Sequence, residues 1–247
     1  MIDLRLGDCA VLLKDIPSNS IDLVIIDPPY DLDIRHDGGR LYANKGMNKS
    51  NTDIVKANID SSYDISKVMT ELIRVMKEIN IYIWCNKKQI LEYLNIFVGK
   101  YSCNFEIITW HKTNALPTFS NKYLTDTEYC LYFQSGGKVH PKNYEDAKTW
   151  FLNPINNKDK KRWKHPTIKP LEIIERFIKN SSNSDDVVLD CFMGSRTTGV
   201  ACKKLQRNFI GIEINDTYFQ TAKDRIENTS INQGEVSKTK YEQVSLF

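Results

Sequence analysis

The chain has 247 residues, 34 Lys and Arg against 31 Asp and Glu, a net charge of +3 and 41% hydrophobic residues. That length suits one large α/β domain, and the mild charge neither demands nor excludes nucleic acid, so any basic surface must be local. Six scattered cysteines without a Cys-x-x-Cys pair, no basic-then-apolar leader and no apolar run near about 18 residues argue against secretion, a disulfide framework, a zinc site or a membrane span; a cytoplasmic protein with buried thiols is expected.

Ile2 to Leu6 alternates apolar and polar residues and runs into Gly7-Asp8, which predicts a short strand with a carboxylate at its end. Asp8 reads equally well as the cap of a brief helix over Cys9 to Leu13. The stretch Ile21 to Tyr30, Ile-Asp-Leu-Val-Ile-Ile-Asp-Pro-Pro-Tyr, carries the strongest signal. Leu23 to Ile26 has the composition of a buried strand, and Pro28 and Pro29, which lack an N–H, must end it. Asp27, Pro28, Pro29 and Tyr30 therefore fall at the carboxyl end of a strand, where open α/β sheets bind ligands. They offer a carboxylate acceptor, two rigid carbonyls and an aromatic face, a set that suits a planar ring bearing an exocyclic amine.

Residues 31–60 carry Gly38-Gly39, Gly46 and several Asn and Lys without sustained period. A loop of that length is usually functional or disordered, and a mobile loop that contacts substrate is expected here. Val68 to Ile79 has helical spacing, Ile81 to Cys85 reads as a strand, Lys87 to Val98 as a helix, and Asn104 to Trp110 as a strand leading into His111-Lys112-Thr113-Asn114. Thr127 to Phe133 is its expected partner strand. This alternation predicts a mainly parallel sheet. Residues 138–165 lack strong periodicity and mix aromatics with a basic run, Lys158, Lys160, Lys161, Arg162 and Lys164. By default that run is a solvated face; interleaved Trp163 raises a phosphate-contacting surface as the alternative.

Pro170 to Ile178 predicts a helix with proline at its first position. Asp186 to Asp190 is a buried-strand pattern. It runs into Cys191-Phe192-Met193-Gly194-Ser195-Arg196-Thr197-Thr198-Gly199, followed by a helix over Val200 to Leu205 and a strand, Phe209 to Glu213, that ends in an acid. A small-residue turn between strand and helix lets backbone N–H groups approach a ligand, and an acid closing the next strand can take a ribose diol. Asn228 to Phe247 is a polar tail.

Together the two sites resemble those of the amino-methylating DNA methyltransferases that use S-adenosylmethionine. With Asp27-Pro28-Pro29-Tyr30 early and the Phe192-Met193-Gly194-Ser195 turn late, the order is similar to that of the permuted β class. Gly7-Asp8, Trp110 to Asn114 and His165-Pro166-Thr167-Ile168-Lys169-Pro170 resemble further segments of that family. The resemblance implies a single doubly wound α/β domain, a seven-stranded Rossmann-like methyltransferase sheet with one antiparallel strand, in which Ile2 to Leu6 lies beside the strand around Ile210. It implies that Asp27 and the Pro28 carbonyl accept hydrogen bonds from the target amine while Tyr30 stacks on a flipped base in double-stranded DNA. It places Asp8, Cys9, Asp27, Asp190, Phe192, Gly194, Ser195, Thr197 and Glu213 around the cofactor, with Thr167 and Lys169 on its methionine carboxylate and no metal required. Lys112, Asn114, Lys160, Lys161, Arg162 and Lys164 become DNA-contact candidates, and a homodimer and a cognate restriction endonuclease the expected partners.

Asp rather than Ser before Pro-Pro-Tyr resembles the adenine-N6 enzymes more than the cytosine-N4 ones, which stay the alternative. Arg196 departs from the family turn, where glycine is usual. A side chain there resists positive φ at about 1–2 kcal/mol. Either Arg196 points outward, or cofactor binding is weakened, or the chain is a DNA-binding relative that no longer transfers methyl groups; with every other site residue present, the first is favoured.

Overall fold

The computed structural model describes residues 1–29, 65–115, 123–155, 168–194 and 197–230. Tyr30, the 31–60 loop, Lys160, Lys161, Arg162, Lys164, Thr167, Ser195, Arg196 and most of the polar tail lie outside them.

Eight strands occur among the described residues: β1 (Ile2–Leu6), β2 (Leu23–Ile26), β3 (Asn80–Cys85), β4 (Asn104–Lys112), β5 (Thr127–Gln134), β6 (Trp150–Asn153), β7 (Val187–Asp190) and β8 (Asn208–Glu213). They form one sheet in the order β1-β8-β7-β2-β3-β5-β4-β6. Only β5 runs against its neighbours, pairing antiparallel with β3 and β4. β1 lies parallel to β8 with Asp3 opposite Ile210, as anticipated. The eighth strand, β6, extends the expected seven by pairing parallel with β4 at the edge. Four residues are too few for alternation to stand out in a sequence, and β6 falls inside the stretch that lacked a period.

The helices are α1 (Cys9–Leu12), α2 (Ile65–Val75), α3 (Ile90–Leu94, continued by wider turns over Asn95–Lys100), α4 (Leu171–Ser181), α5 (Thr197–Lys204) and α6 (Asp216–Glu227). Among the described residues none is long and apolar enough to cross a membrane. Pro170 is the extended residue just before α4 rather than its first helical one, with φ −59° and ψ 131°. α6 went unread in the sequence because its inward residues, Ala222 and Ile226, are separated by charged ones.

Because side chains alternate across a strand, the buried strands feed two cores. Val24, Ile26, Ile81 and Ile83 pack with Leu13, Val68, Leu72 and Phe97 on one face. On the other, Leu23, Ile25, Tyr82 and Trp84 pack with Ile174, Phe177, Val200 and Ile226. The amino end of the sheet is closed by polar groups that satisfy one another. Asn80, 1% exposed, donates to the carbonyls of Asp22 and Ser181 and accepts from the Tyr132 hydroxyl. That leaves the opposite, carboxyl edge for chemistry, and β2 and β7, where the winding reverses, sit at its middle.

Candidate active site at the carboxyl edge of the sheet

β2 is buried throughout and stops where Pro28 and Pro29 cannot continue the ladder. The turn that follows is pinned from the end of β3. Gln89, 5% exposed, donates from Nε2 to the Pro29 carbonyl at 3.2 Å and accepts the Asn86 N–H on Oε1 at 3.2 Å. Asp27 is thereby held on a rigid base, and its Oδ2 lies 2.7 Å from Lys169 Nζ.

Lys169 comes from the segment just ahead of α4 and is buried, 5% exposed at its side chain. Its ammonium also lies 3.0 Å from Glu128 Oε2 and 4.9 Å from the centroid of the Trp84 ring. Glu128 in turn meets Lys112 Nζ at 2.6 Å. Burial by itself would raise the Glu128 carboxyl, but the ammonium groups of Lys169 and then Lys112 outweigh it and hold it down to about 2. The result is a chain of alternating charges, Asp27, Lys169, Glu128 and Lys112, joining β2 to the ends of β5 and β4.

On the other side of β2, Asp190 closes β7. Its carboxylate accepts from the Phe192 N–H at 3.1 Å and the Thr198 hydroxyl at 2.7 Å. Burial still pushes its carboxyl up to about 7, with the negative charges of Asp27 and Glu213 adding to the rise. The turn after it is tied to β8: Gly194 donates to Glu213 Oε2 at 2.8 Å, and Asn215 donates to Oε1 at 2.8 Å. Gly194 has φ +31°, where glycine is at ease. At Gly199 a Cβ would stand 2.4 Å from Ile226 Cδ1, so only glycine lets α5 lie this close to α6. Thr197, 3% exposed, donates its hydroxyl to the Lys169 carbonyl at 3.3 Å, joining the turn to the segment that carries the ammonium.

The sequence candidates Asp8, Asp27, Lys169, Asp190, Gly194, Thr197 and Glu213 thus lie along one edge of the sheet. Asp8 caps α1, its carboxylate accepting the Ala10 N–H at 2.8 Å. Cys9 is a buried thiol beside Cys191 in the core, and Phe192 packs against the same cluster. Lys169 faces Asp27 and Glu128, a placement that the expected contact to a methionine carboxylate did not foresee. Lys112 is likewise turned inward, 14% exposed at its side chain, because Glu128 draws its ammonium. Asn114 uses its amide on both the N–H and the carbonyl of Ile155. Sequence reasoning missed Gln89 and Glu128. Glu128 opens β5 directly opposite Trp110, within reach of Lys112 at the end of β4, a pairing that appears only once the strand register is set.

Three carboxylates around a glycine turn, at adjacent strand ends, fit a ligand that carries a ribose diol together with cationic groups. The fold is that of a Rossmann-like methyltransferase. The DNA methylase model of N6 and N4 enzymes matches residues 21–224. The chain is 33% identical over 240 residues to the type II methyltransferase M2.MboI of Moraxella bovis, spanning 89% of this chain and 85% of that one. It is 32% identical to M2.LlaDCHI of Lactococcus lactis subsp. cremoris over 89% of this chain and 87% of that one. Among solved structures the M1.HpyAVI–SAM complex superposes with a TM-score of 0.65 at 28% identity, covering 91% of this chain and all of that one. The protein belongs to the N6/N4 DNA methylase family and is a DNA methyltransferase.

Proposed function

We propose that the protein transfers a methyl group from S-adenosylmethionine to the N6 amine of an adenine flipped out of duplex DNA. The observation that carries this reading is Asp27, a carboxylate fixed at the end of the central strand by a proline turn and a buried ammonium, one strand from the glycine turn of β7. An adenine amine is a poor nucleophile because its lone pair is delocalised into the ring. Hydrogen bonds from that amine to Asp27 and to the Pro28 carbonyl draw the nitrogen toward a tetrahedral geometry and stabilise the positive charge developing on it. Asp27 need not be a strong base, since a methylated ammonium is acidic enough to lose its proton afterwards. Glu213, Asp8 and Asp190 bind the cofactor's polar groups, while Tyr30 stacks on the base. S-adenosylmethionine, when bound, supplies a methyl group already activated by the charge on sulfur. Incubation with labelled cofactor and duplex DNA, followed by digestion to nucleosides, puts the label in N6-methyladenine; label in N4-methylcytosine or in protein alone overturns the assignment. Likeness to type II enzymes supports a cognate restriction endonuclease and action in the cytoplasm on cellular DNA.

The protein acts as a homodimer in this reading, one copy completing the DNA surface of the other. Support comes from the outer sheet edge. Register places Trp150 and Leu152 of β6 on the same face as Thr109 and His111 of β4, in line with Phe105 and Ile107. These four apolar residues are between 41% and 61% exposed, a contiguous patch of the kind that marks an association surface. A dimer mass is expected at micromolar concentration, and Ile107→Glu with Trp150→Glu is expected to give monomers that keep their fold. A monomeric wild type that still binds DNA sinks the idea.

A further inference from the structure

A turn built on two prolines cannot close itself. Pro28 and Pro29 fix φ but supply no N–H, so neither can donate the hydrogen bond that commonly locks a turn, and ψ alone decides where their carbonyls point. The donor comes from another part of the chain: Gln89 Nε2 reaches the Pro29 carbonyl at 3.2 Å. Gln89 stands at the start of α3, just past the end of β3, and β3 lies directly beside β2 with Ile26 opposite Ile83.

The Gln89 amide has one orientation that serves both partners. Its Oε1 accepts the Asn86 N–H at 3.2 Å, and the Pro29 carbonyl on the other side demands a donor, which only the NH2 end supplies. The side chain is not needed to cap its own helix. Asn86 fills that role, its Oδ1 accepting the N–H of Lys88 at 2.9 Å and of Gln89 at 3.1 Å, while Gln89 makes no side-chain cap bond. The residue is also buried, and a buried amide is costly unless its groups are paired. Its placement is therefore explained by the proline turn and not by α3.

We infer that Gln89 is a positioning residue for methyl transfer: its amide, oriented by Asn86, fixes the peptide that follows Pro29 and with it the geometry of the turn that presents Asp27 and the Pro28 carbonyl. The inference rests on the reading of that turn as the element that binds the target amine. Gln89 touches neither the base nor the cofactor in this assignment and acts through the turn. Without its bond the Pro29 carbonyl is free to swing about ψ. The loss then falls on the alignment of the nucleophile, where an error of about 1 Å can lower the rate by about 10²-fold, and not on the cofactor held at the ends of β7 and β8.

Gln89→Met keeps the length and bulk of the side chain and removes the donor. It is expected to lower the single-turnover rate on duplex DNA about 30-fold at saturating DNA and S-adenosylmethionine, with both dissociation constants within about twofold of wild type. Its melting temperature is expected to stay within about 3 °C, the cost of one hydrogen bond in a chain of this size. Gln89→Glu keeps the shape and the acceptor for Asn86 but sets a carboxylate oxygen against the Pro29 carbonyl. It is expected to be at least as slow as Gln89→Met at pH 8, and it carries the test if Gln89→Met does not fold. A packing role gives the opposite pattern, a lower melting temperature with the saturated rate of the folded enzyme unchanged, and that result overturns the inference, as does a Gln89→Glu enzyme that transfers at the wild-type rate. Asp27→Ala run alongside separates the two layers: if it retains transfer, the underlying reading of the turn fails; if it loses transfer while both Gln89 variants run at the wild-type saturated rate, only the assignment of Gln89 fails.

Discussion

Asp27→Ala and Asp27→Asn are both expected to lower the single-turnover rate by about 10³-fold or more while S-adenosylmethionine binding persists. Removal of one preorganised group that meets developing charge costs on the order of 10² to 10³ in rate, and here the lost group also orients the nucleophile. The asparagine variant is the informative one. Its amide matches the carboxylate in size, but Lys169 Nζ, 2.7 Å away, donates only and must take the amide oxygen. What faces the target amine is then an NH2, donor against donor. Asparagine should therefore be no better than alanine, an outcome that shape alone would not predict. Stability should suffer less than when an isolated buried pair is broken, typically about 3–5 kcal/mol, because Glu128 retains the ammonium at 3.0 Å. Stopped assays with labelled cofactor on duplex DNA, with titration calorimetry for the cofactor, check both parts. An asparagine variant within tenfold of wild type would refute the role given to Asp27.

Asp27 was readable because a chemical rule is written into neighbouring residues: a β-branched run followed by two prolines must be a strand that stops, whatever surrounds it. The same holds for β7 and its turn, where Gly194 and Glu213 stand 19 positions apart and meet across 2.8 Å. Both lie in a strand-turn-helix-strand unit whose geometry is local. Glu128 and Gln89 belong to another kind of information. Nothing near Glu128 in the chain announces a charge network, since its partners are 16 positions back and 41 ahead, brought together by sheet order and by the approach of the segment before α4. Gln89 acts on Pro29 from 60 residues away. Lys169 was singled out but given a different neighbour, for the same reason: resemblance of a short motif names the residue and not the group its side chain reaches. β6 was missed on length, and α6 because charged residues between its inward positions blur the apolar stripe.

The remaining carboxyl at the site yields the second large effect, and it depends on pH. Burial raises Asp190 from the ordinary 3.8 to about 7 in the ligand-free protein. Folded and unfolded chains therefore differ in protons bound between those values, with the folded state holding one more. Stability falls as pH rises from about 4 to about 7, and above that the full penalty applies, at most about 4 kcal/mol at about 1.4 kcal/mol per pH unit. Asp190→Asn is accordingly expected to melt higher than wild type at pH 8, with the difference vanishing below about pH 4. Cofactor binding runs the other way. A cationic ligand beside Asp190 selects the ionised form, so below pH 7 binding must expel a proton and affinity should climb up to tenfold per pH unit before levelling off. The asparagine variant, having no proton to lose, should bind more weakly at pH 8 and with little slope. Calorimetry in two buffers of different ionisation heat counts the proton directly. A wild-type affinity flat from pH 5.5 to 8 would mean that the ligand's charge never meets Asp190. A steep slope that survives Asp190→Asn would assign the proton to another group, with Glu213, which also faces the glycine turn, the first to replace.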